Sequence, residues 1–148
     1  MTTIAVNRTM MAGDRQFTHA SGMKLTGSTK IHQVPLPEVF DCRKAFIGFC
    51  GNADNFGPII TWLHNPLEKQ PKCKGIEMLL LTDKGHILHG TNLNNWLKLS
   101  DPYFSIGSGM HFAQAAMASG KDPYEAVKVA SKFDPNTGSG FTKLIMTK

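Results

Sequence analysis

Cysteine is scarce in this sequence, and the three cysteines present, Cys42, Cys50 and Cys73, form no C-x-x-C pair. An odd number of scattered thiols argues against a disulfide scaffold and against a cysteine-rich zinc site. We therefore expect reduced thiols, a cytoplasmic location, and neither a metal nor a cofactor.

Long apolar runs are also absent. The longest uninterrupted run, residues 78–81, is far shorter than the ~18 residues that a membrane-spanning helix needs. The first residues lack the basic start and the apolar stretch of a signal peptide. We expect a protein that stays where it is made and has no membrane partner.

Charge is sparse, whereas hydrophobic residues are plentiful. Charged residues make up 18% of the chain and hydrophobic residues 41%, which is typical of a globular protein and not of a disordered one. A chain of 148 residues corresponds to about one domain. We expect residues 1–148 to form a single domain.

The net charge of +5 raises the question of a nucleic-acid partner. The basic residues are scattered, and the densest group, Lys69, Lys72 and Lys74, lies near two prolines with no interleaved aromatic residues. A solvated basic loop is the simpler interpretation, and nucleic-acid binding is disfavoured.

Hydrophobic patterns predict several strands and three helices. Strands are expected at residues 2–10, 30–34, 45–50, 77–82, 86–90, 103–106 and 141–146, with a turn at Gly13-Asp14. The pair 77–82 and 86–90 flanks Asp83-Lys84-Gly85 and predicts a hairpin. A loop is expected at residues 65–75.

The first helix is expected to start from Asn52 or Asp54 and to end near residue 64, and the second to cover residues 110–119. For the third, Asp122 is the expected cap and Pro123 the first residue. Its apolar stripe is expected to comprise residues 126, 129, 130 and 133. Because strands and helices are segregated, the fold class is α+β, with antiparallel sheets and helices packed outside them.

Thr2 is the first candidate for chemistry. Methionine is commonly removed before a small residue, which would leave Thr2 with a free amine beside its own hydroxyl. The pKa of such an amine, ~7.7–8.0, lets it accept the hydroxyl proton near neutral pH. A nucleophile and its base then share one residue. Alone, an opening Met-Thr is common and carries little weight.

Further motifs follow the opening Thr2-Thr3-Ile4-Ala5-Val6 in a fixed order. They are Ala12-Gly13-Asp14, Lys30 after Met23-Lys24, Ile47-Gly48-Phe49-Cys50-Gly51-Asn52-Ala53-Asp54, Ile106-Gly107-Ser108-Gly109, and Asp134-Pro135-Asn136-Thr137-Gly138-Ser139-Gly140. In this order the set resembles the proteasome β-subunit family, and especially the HslV-type threonine peptidases, which also open Thr-Thr-Ile after methionine. The resemblance covers most of the chain, except about residues 65–100.

The resemblance implies an N-terminal nucleophile hydrolase with a four-layer αββα sandwich. It implies that Thr2 is the nucleophile and its amine the general base. Lys30 matches the active-site lysine, and its cation would lower the cost of forming an alkoxide. Asp14 would pair with Lys30 and hold it in place. Without the resemblance, a surface ion pair would be the simpler interpretation of Asp14 and Lys30.

Four further catalytic positions come from the same match. Gly51 matches the glycine whose N–H stabilises the oxyanion, although a turn glycine is the alternative. Ser108, Asp134 and Thr137 would orient the amine and relay its proton, although helix capping and turn formation explain such residues equally.

By the same match Phe17, Thr18, Phe49 and Ala53 would line the substrate cleft. For Phe17 and Phe49 a place in the core is an equal alternative.

The chain departs from the family pattern between about residues 67 and 99, where the family has a second long helix before the hairpin. One outer helical layer is therefore expected to be reduced, which puts an ATPase unfoldase partner and the ring size in doubt. Short proteasome-like proteins of this kind occur in bacteriophage genomes, and this chain is similar to them.

The leading hypothesis is a threonine-type endopeptidase that cleaves peptides or unfolded proteins inside a homo-oligomeric ring. The alternative is a catalytically silent ring or binding protein, which a retained Met1 would favour.

Overall fold

The computed structural model describes residues 2–18, 24–26, 29–35, 42–66, 69–138 and 140–147, and for 18 and 24–26 the backbone alone. Within them the chain forms three α-helices, α1 (Phe56–His64), α2 (Met110–Ala118) and α3 (Pro123–Phe133). None of these helices is long and apolar enough to cross a bilayer. The same residues form strands β1 (Thr3–Asn7), β2 (Met10–Asp14), β3 (Gln16–Thr18), β4 (Lys24–Thr26), β5 (Ile31–Pro35), β6 (Lys44–Gly51), β7 (Ile76–Thr82), β8 (Ile87–Gly90), β9 (Trp96–Leu99), β10 (Tyr103–Gly107) and β11 (Phe141–Ile145).

The strands build two larger sheets and a two-stranded ribbon, β3–β4. One sheet has the order β10-β1-β2-β11 and the other the order β5-β6-β7-β8-β9. Every pairing is antiparallel. The predicted α+β class with antiparallel sheets is therefore confirmed.

Strand alternation divides the core into three clusters. Along β1, Ile4 and Val6 join a cluster that also contains Phe46 of β6 and Leu79 of β7, so this cluster connects the two larger sheets. The intervening Ala5 packs instead with residues of α2 and α3. Because successive side chains of a strand point to opposite faces, one strand serves both clusters.

The third cluster joins α1 to the five-stranded sheet. Phe56, Ile59 and Leu63 of α1 pack with Ile47 and Phe49 of β6 among others. Asn52 caps the short 3₁₀ helix Ala53–Asn55 that leads into α1, because its side chain accepts a hydrogen bond from Asp54 N. Pro58 lies in the first turn of α1, where a missing N–H is tolerated.

The start of α3 confirms the predicted cap. The Asp122 side chain accepts a hydrogen bond from Glu125 N at 2.8 Å, and Pro123 is the first helical residue. The predicted apolar stripe is partly wrong. Val127 is buried with Ala126 and Ala130, whereas Phe133 is 63% exposed.

The strand predicted at residues 2–10 is confirmed over Thr3–Asn7 but ends earlier than predicted, and the predicted turn at Gly13-Asp14 is wrong. Asn7 ends β1, and its Oδ1 accepts hydrogen bonds from Thr9 N and Met10 N, which closes the turn at Arg8-Thr9 and not at Gly13-Asp14. Gly13 and Asp14 therefore lie inside β2, where Gly13 pairs with Ile4. The pairing of β1 with β2 places Asp14 beside the first residues of β1.

The hairpin of β7 and β8 is confirmed, with Gly85 in the left-handed region at φ 79°. Sequence patterns missed β9, whose four residues pair with β8, and the short ribbon β3–β4. Within the predicted loop at 65–75, residues 67 and 68 lie outside the described residues, and the others form no helix or strand.

We expect Gly48→Ala to destabilise the protein, because side chains of the facing sheet pack directly against this residue. A Cβ at Gly48 would lie 2.7 Å from Ile4 Cγ2 and 3.1 Å from Met11 Sδ. Overpacking of this kind typically costs about 1–3 kcal/mol of unfolding free energy, which urea denaturation would measure.

Gly57→Ala in α1 is the matched control, since a Cβ there meets nothing within 4 Å. A helical Gly→Ala change is expected to be neutral or stabilising by up to about 1 kcal/mol. Equal stability of Gly48→Ala and the wild type would contradict the close approach of the sheets.

Candidate active site

Three of the predicted catalytic residues meet where β1 begins. Thr2 precedes β1, Asp14 is the last residue of β2, and Lys30 immediately precedes β5. Thr2 is 3% exposed, Asp14 1% and Lys30 2%. The alternative of a surface ion pair is therefore wrong, because both charged groups are buried.

Lys30 contacts both of the other residues directly. Its Nζ donates hydrogen bonds to Thr2 Oγ1, to Asp14 Oδ1 at 3.1 Å, and to the backbone oxygen of Gln16. Three acceptors match the three donors of a protonated lysine. Thr2 Oγ1 in turn donates to Asp14 Oδ1. The threonine hydroxyl thus lies between an ammonium donor and a carboxylate acceptor.

Backbone N–H groups hold the Asp14 carboxylate in place. Thr3 N donates to Oδ1 at 3.0 Å, and Gln16 N and Gly138 N donate to Oδ2 at 3.3 and 3.1 Å. The bond from Gly138 ties the segment after α3 to the end of β2. Gln16 and Gly138 contribute only backbone groups here, so no side-chain pattern in the sequence could have revealed them.

Burial lowers the pKa of Lys30 below its ordinary value, because the charged form loses its hydration. The charge and hydrogen bond of Asp14 act in the opposite direction and favour the ammonium. The Lys30 ammonium also lies 4.8 Å from the centre of the Phe17 ring, a cation–π contact.

A second polar cluster contacts the backbone oxygen of Thr2 and the hydroxyl of Thr3. Ser108 Oγ donates to Asp134 Oδ2 at 2.5 Å and to the backbone oxygen of Thr2 at 3.4 Å. Thr137 Oγ1 donates to Asp134 Oδ2 at 2.6 Å and is 2.7 Å from Thr3 Oγ1. The structure therefore brings Ser108, Asp134 and Thr137 together next to Thr2, and it adds Thr3, which the sequence analysis did not single out.

Hydrogen bonding controls the ionisation of Asp134. Burial alone would raise its pKa, but donors from Ser108, Thr137 and Asn136 stabilise the carboxylate and lower the pKa below the ordinary value. Asp134 is therefore ionised at neutral pH and can hold both hydroxyls as donors.

Glycines flank Ser108 because the chain passes very close to Thr2 and Thr3. A Cβ at Gly107 would lie 1.9 Å from the backbone oxygen of Thr2, and one at Gly109 would lie 2.1 Å from Thr3 Oγ1. Gly107 also has a positive φ of 98°. Only glycine fits at these two positions.

Gly51, the predicted oxyanion donor, is the last residue of β6 and has a φ of 106°. A Cβ there would lie 1.9 Å from the Gly75 oxygen, so the position requires glycine for backbone reasons. The turn-glycine alternative therefore describes its structural role, and the oxyanion role stays a prediction.

Cys50, which precedes Gly51, has a buried thiol, but it is a poor candidate nucleophile. Burial, and then the negative charge of Glu77, raise the pKa of Cys50 to about 12. Because the thiolate is the reactive form of cysteine, this thiol is unreactive near neutral pH.

A cleft of ≈ 390 Å³ is lined by Phe17, Thr29, His32, Ala53, Phe56, Gly57 and Ile60. Phe17 faces both this cleft and the Lys30 ammonium. Two predicted cleft residues, Phe17 and Ala53, thus lie in its wall.

Phe49 is fully buried, and its ring stacks on Phe56 at 4.9 Å. It belongs to the core beneath the cleft, so its predicted place in the lining is wrong. The side chain of Thr18 lies outside the described residues.

Comparison with known proteins identifies the fold. No protein-family model matches the chain, and no curated protein sequence matches it. Solved structures match over nearly its whole length. BPH from Thiobacillus denitrificans has a TM-score of 0.72 at 16% identity, with 97% of both chains covered. HslV from Trypanosoma brucei has a TM-score of 0.67 at 18% identity, with 99% of both chains covered.

A third similar structure is Anbu from Yersinia bercovieri, described as an ancestral β-subunit. It has a TM-score of 0.70 at 13% identity, and the match covers 97% of this chain and 81% of the Anbu chain. The chain therefore has the fold of proteasome-like and HslV-like proteins. The resemblance to this family is confirmed at the level of the fold.

We expect Asp134 to make stability depend on pH in the acid range. A carboxylate whose pKa is lowered by folding stabilises the protein above its ordinary pKa of 3.8, and this contribution is lost as the pH falls through the folded-state value. Asp134→Asn cannot titrate, so its stability deficit relative to the wild type should shrink as the pH falls from ~5 to below 3.8.

Urea denaturation across that pH range would measure the deficit. Asp101→Asn, at an exposed position, controls for the loss of one carboxylate. A deficit of Asp134→Asn that does not change with pH would contradict the assigned ionisation.

Proposed function

We propose that this chain is a threonine peptidase whose nucleophile is Thr2, freed by cleavage of the peptide bond that precedes it. The buried contact of Thr2 Oγ1 with Lys30 Nζ and Asp14 Oδ1 is the observation that carries the proposal. The fold shared with HslV gives it a structural context.

The first chemical step forms an ester between Thr2 and the substrate. The free amine of Thr2 takes the hydroxyl proton, and Oγ1 attacks the peptide carbonyl carbon. The tetrahedral intermediate then expels the amine half of the peptide, which receives the proton. Water hydrolyses the ester, releases the acyl half and restores the hydroxyl. While Thr2 N remains an amide it cannot act as this base, so the cleavage before Thr2 is a requirement.

Lys30 and Asp14 support this step by their charges and hydrogen bonds, and neither forms a covalent bond to the substrate. The Lys30 ammonium faces Oγ1, so it stabilises the negative charge that develops there and disfavours protonation of the nearby amine. Asp14 balances the lysine charge and fixes its position. Removing either partner would leave a buried charge without compensation.

The remaining polar residues act around the amine and the carbonyl. Ser108 contacts the backbone oxygen of Thr2, Thr137 contacts the hydroxyl of Thr3, and both donate to Asp134, so these three residues orient the amine and relay its proton. Gly51 N–H stabilises the oxyanion, a donor whose loss typically costs ~2.7–4 kcal/mol of transition-state stabilisation.

The cleft sets the preference for substrate. Its wall is formed by Phe17, Phe56, Ile60 and smaller residues, and His32 is its titratable member. Burial lowers the pKa of His32, so the ring is neutral at pH 7. An apolar side chain next to the cleaved bond fits this lining best.

The three packing clusters also support a proposal about the layers of the whole domain. With α2 and α3 against one sheet, the second sheet next and α1 outermost, we propose a single domain folded as a four-layer αββα sandwich with one outer layer reduced to α1. We further propose that copies of the chain assemble in the cytoplasm into a ring, and that peptides or unfolded proteins enter this ring.

Epoxomicin is the probe for the nucleophile, because an epoxyketone reacts with both the free amine and the hydroxyl of an N-terminal threonine. A structural neighbour, Thiobacillus denitrificans BPH, has been solved in complex with epoxomicin. We expect intact mass spectrometry to show a chain that begins at Thr2 and carries one adduct.

Two variants at the same position control this experiment. Thr2→Ser keeps a hydroxyl and should still form the adduct, whereas Thr2→Ala should form none. A chain that retains Met1 and takes no adduct would contradict the peptidase proposal and favour a catalytically silent ring protein.

We expect Ala53→Phe to narrow the cleft and change selectivity. Ala53 lies in the wall, so a larger side chain there competes for space with the substrate. The variant should lose kcat/KM for a peptide with Phe before the cleaved bond more than for one with Ala, by about tenfold.

Ala118→Phe, at an exposed position on α2, is the control for a surface aromatic. An equal loss for both peptides in Ala53→Phe would contradict the assignment of the cleft to substrate side chains.

A further inference from the structure

We propose that Lys72 and Lys74 favour peptide substrates that carry a carboxylate side chain close to the cleaved bond. We call these two residues the basic rim. The inference rests on the proposed peptidase function and adds the charge of the substrate to it.

The segment that carries the basic rim is anchored from within. Cys73 packs against the core cluster beneath α1, and Ile76 N donates to the Cys73 oxygen at 3.3 Å. Because Cys73 points inward, its two neighbours are directed to solvent, and both Lys72 and Lys74 are exposed. The rim is thus held on a fixed turn.

The same segment borders the candidate active site. The Lys74 oxygen accepts from Asn55 Nδ2 at 2.9 Å, and the Gly75 oxygen accepts from Asn52 N at 2.8 Å. Gly75 also packs directly on Gly51, whose N–H is the proposed oxyanion donor. The turn that carries the basic rim therefore lies against Gly51 and against the segment from Asn52 to Asn55, which includes the cleft residue Ala53.

No carboxylate of the described part forms an ion pair with the basic rim. The ion pairs of that part join Lys30 to Asp14, His89 to Glu77 and Lys121 to Glu125. Glu77, close along the chain, contacts His89 at 2.7 Å and not a lysine. A bound peptide whose carboxylate reaches Lys72 or Lys74 would therefore meet an ammonium that no carboxylate of the described part already pairs.

Paired peptides test the inference. Each pair differs only by Glu or Gln, placed in turn at the three positions on either side of the cleaved bond. At the favoured position we expect kcat/KM for the Glu peptide to exceed that for the Gln peptide by roughly three- to tenfold at low salt. The ratio should approach one as salt rises, since exposed charges are screened over ~10 Å at 0.1 M.

The variant Lys72→Gln/Lys74→Gln should bring the ratio close to one at low salt. Lys98→Gln/Lys121→Gln removes the same charge at two other exposed positions and should keep the wild-type ratio. A wild-type ratio of one or less at every position, or a ratio that survives Lys72→Gln/Lys74→Gln, would overturn the inference.

Binding measurements separate this inference from the proposed function. Fluorescence polarisation with the labelled Glu and Gln peptides needs no turnover, and it should show the same preference and the same loss in Lys72→Gln/Lys74→Gln. If epoxomicin labels Thr2 but the peptides show no preference, the inference fails and the peptidase proposal stands. If neither adduct nor cleavage occurs, the peptidase proposal fails, and polarisation alone decides whether the rim selects acidic peptides.

Discussion

Burial of the Lys30 ammonium is the constraint around which the site is arranged. Removing an ammonium from water costs several kcal/mol even after relaxation, so the fold must return a counter-charge and acceptors at fixed positions. Asp14 supplies the charge, and Thr2 Oγ1 and the Gln16 oxygen supply further acceptors. These groups come from the start of β1, the end of β2 and the start of β3, so their positions depend on strand register.

Register in turn depends on close contact between backbones. Gly13 and Gly48 let the two larger sheets approach each other, since a Cβ at Gly48 would lie 2.7 Å from Ile4 Cγ2 and one at Gly13 would lie 3.3 Å from Ile31 Cγ2. Gly107 and Gly109 let the loop that carries Ser108 lie against Thr2 and Thr3. The polar cluster is therefore confined by apolar packing beneath it and by glycine contacts beside it.

The sequence predicted those parts of the site that depend on side-chain identity. The motif order drew attention to Thr2, Asp14 and Lys30, and the structure places them in contact. It could not predict that Asp14 would lie inside a strand, because this follows from the Asn7 side chain closing the preceding turn early. Alternation also could not reveal β9, whose few residues are defined by pairing with β8 rather than by their own pattern. Phe49 was equally ambiguous, since an aromatic residue beside a cleft and one beneath it look alike in sequence.

Stability alone gives no reason for this site. A buried ion pair is often neutral or unfavourable relative to apolar residues of similar volume, which would fill the space between β1, β2 and β5 without a desolvation cost. An ammonium that donates to a threonine hydroxyl would, in contrast, stabilise the negative charge that develops on that oxygen in the proposed reaction. The same reasoning extends to Asp134, whose buried carboxylate accepts hydrogen bonds from Ser108 and Thr137, which contact Thr2 and Thr3 respectively. Two buried acidic groups beside one threonine therefore support the proposal that this threonine carries the chemistry.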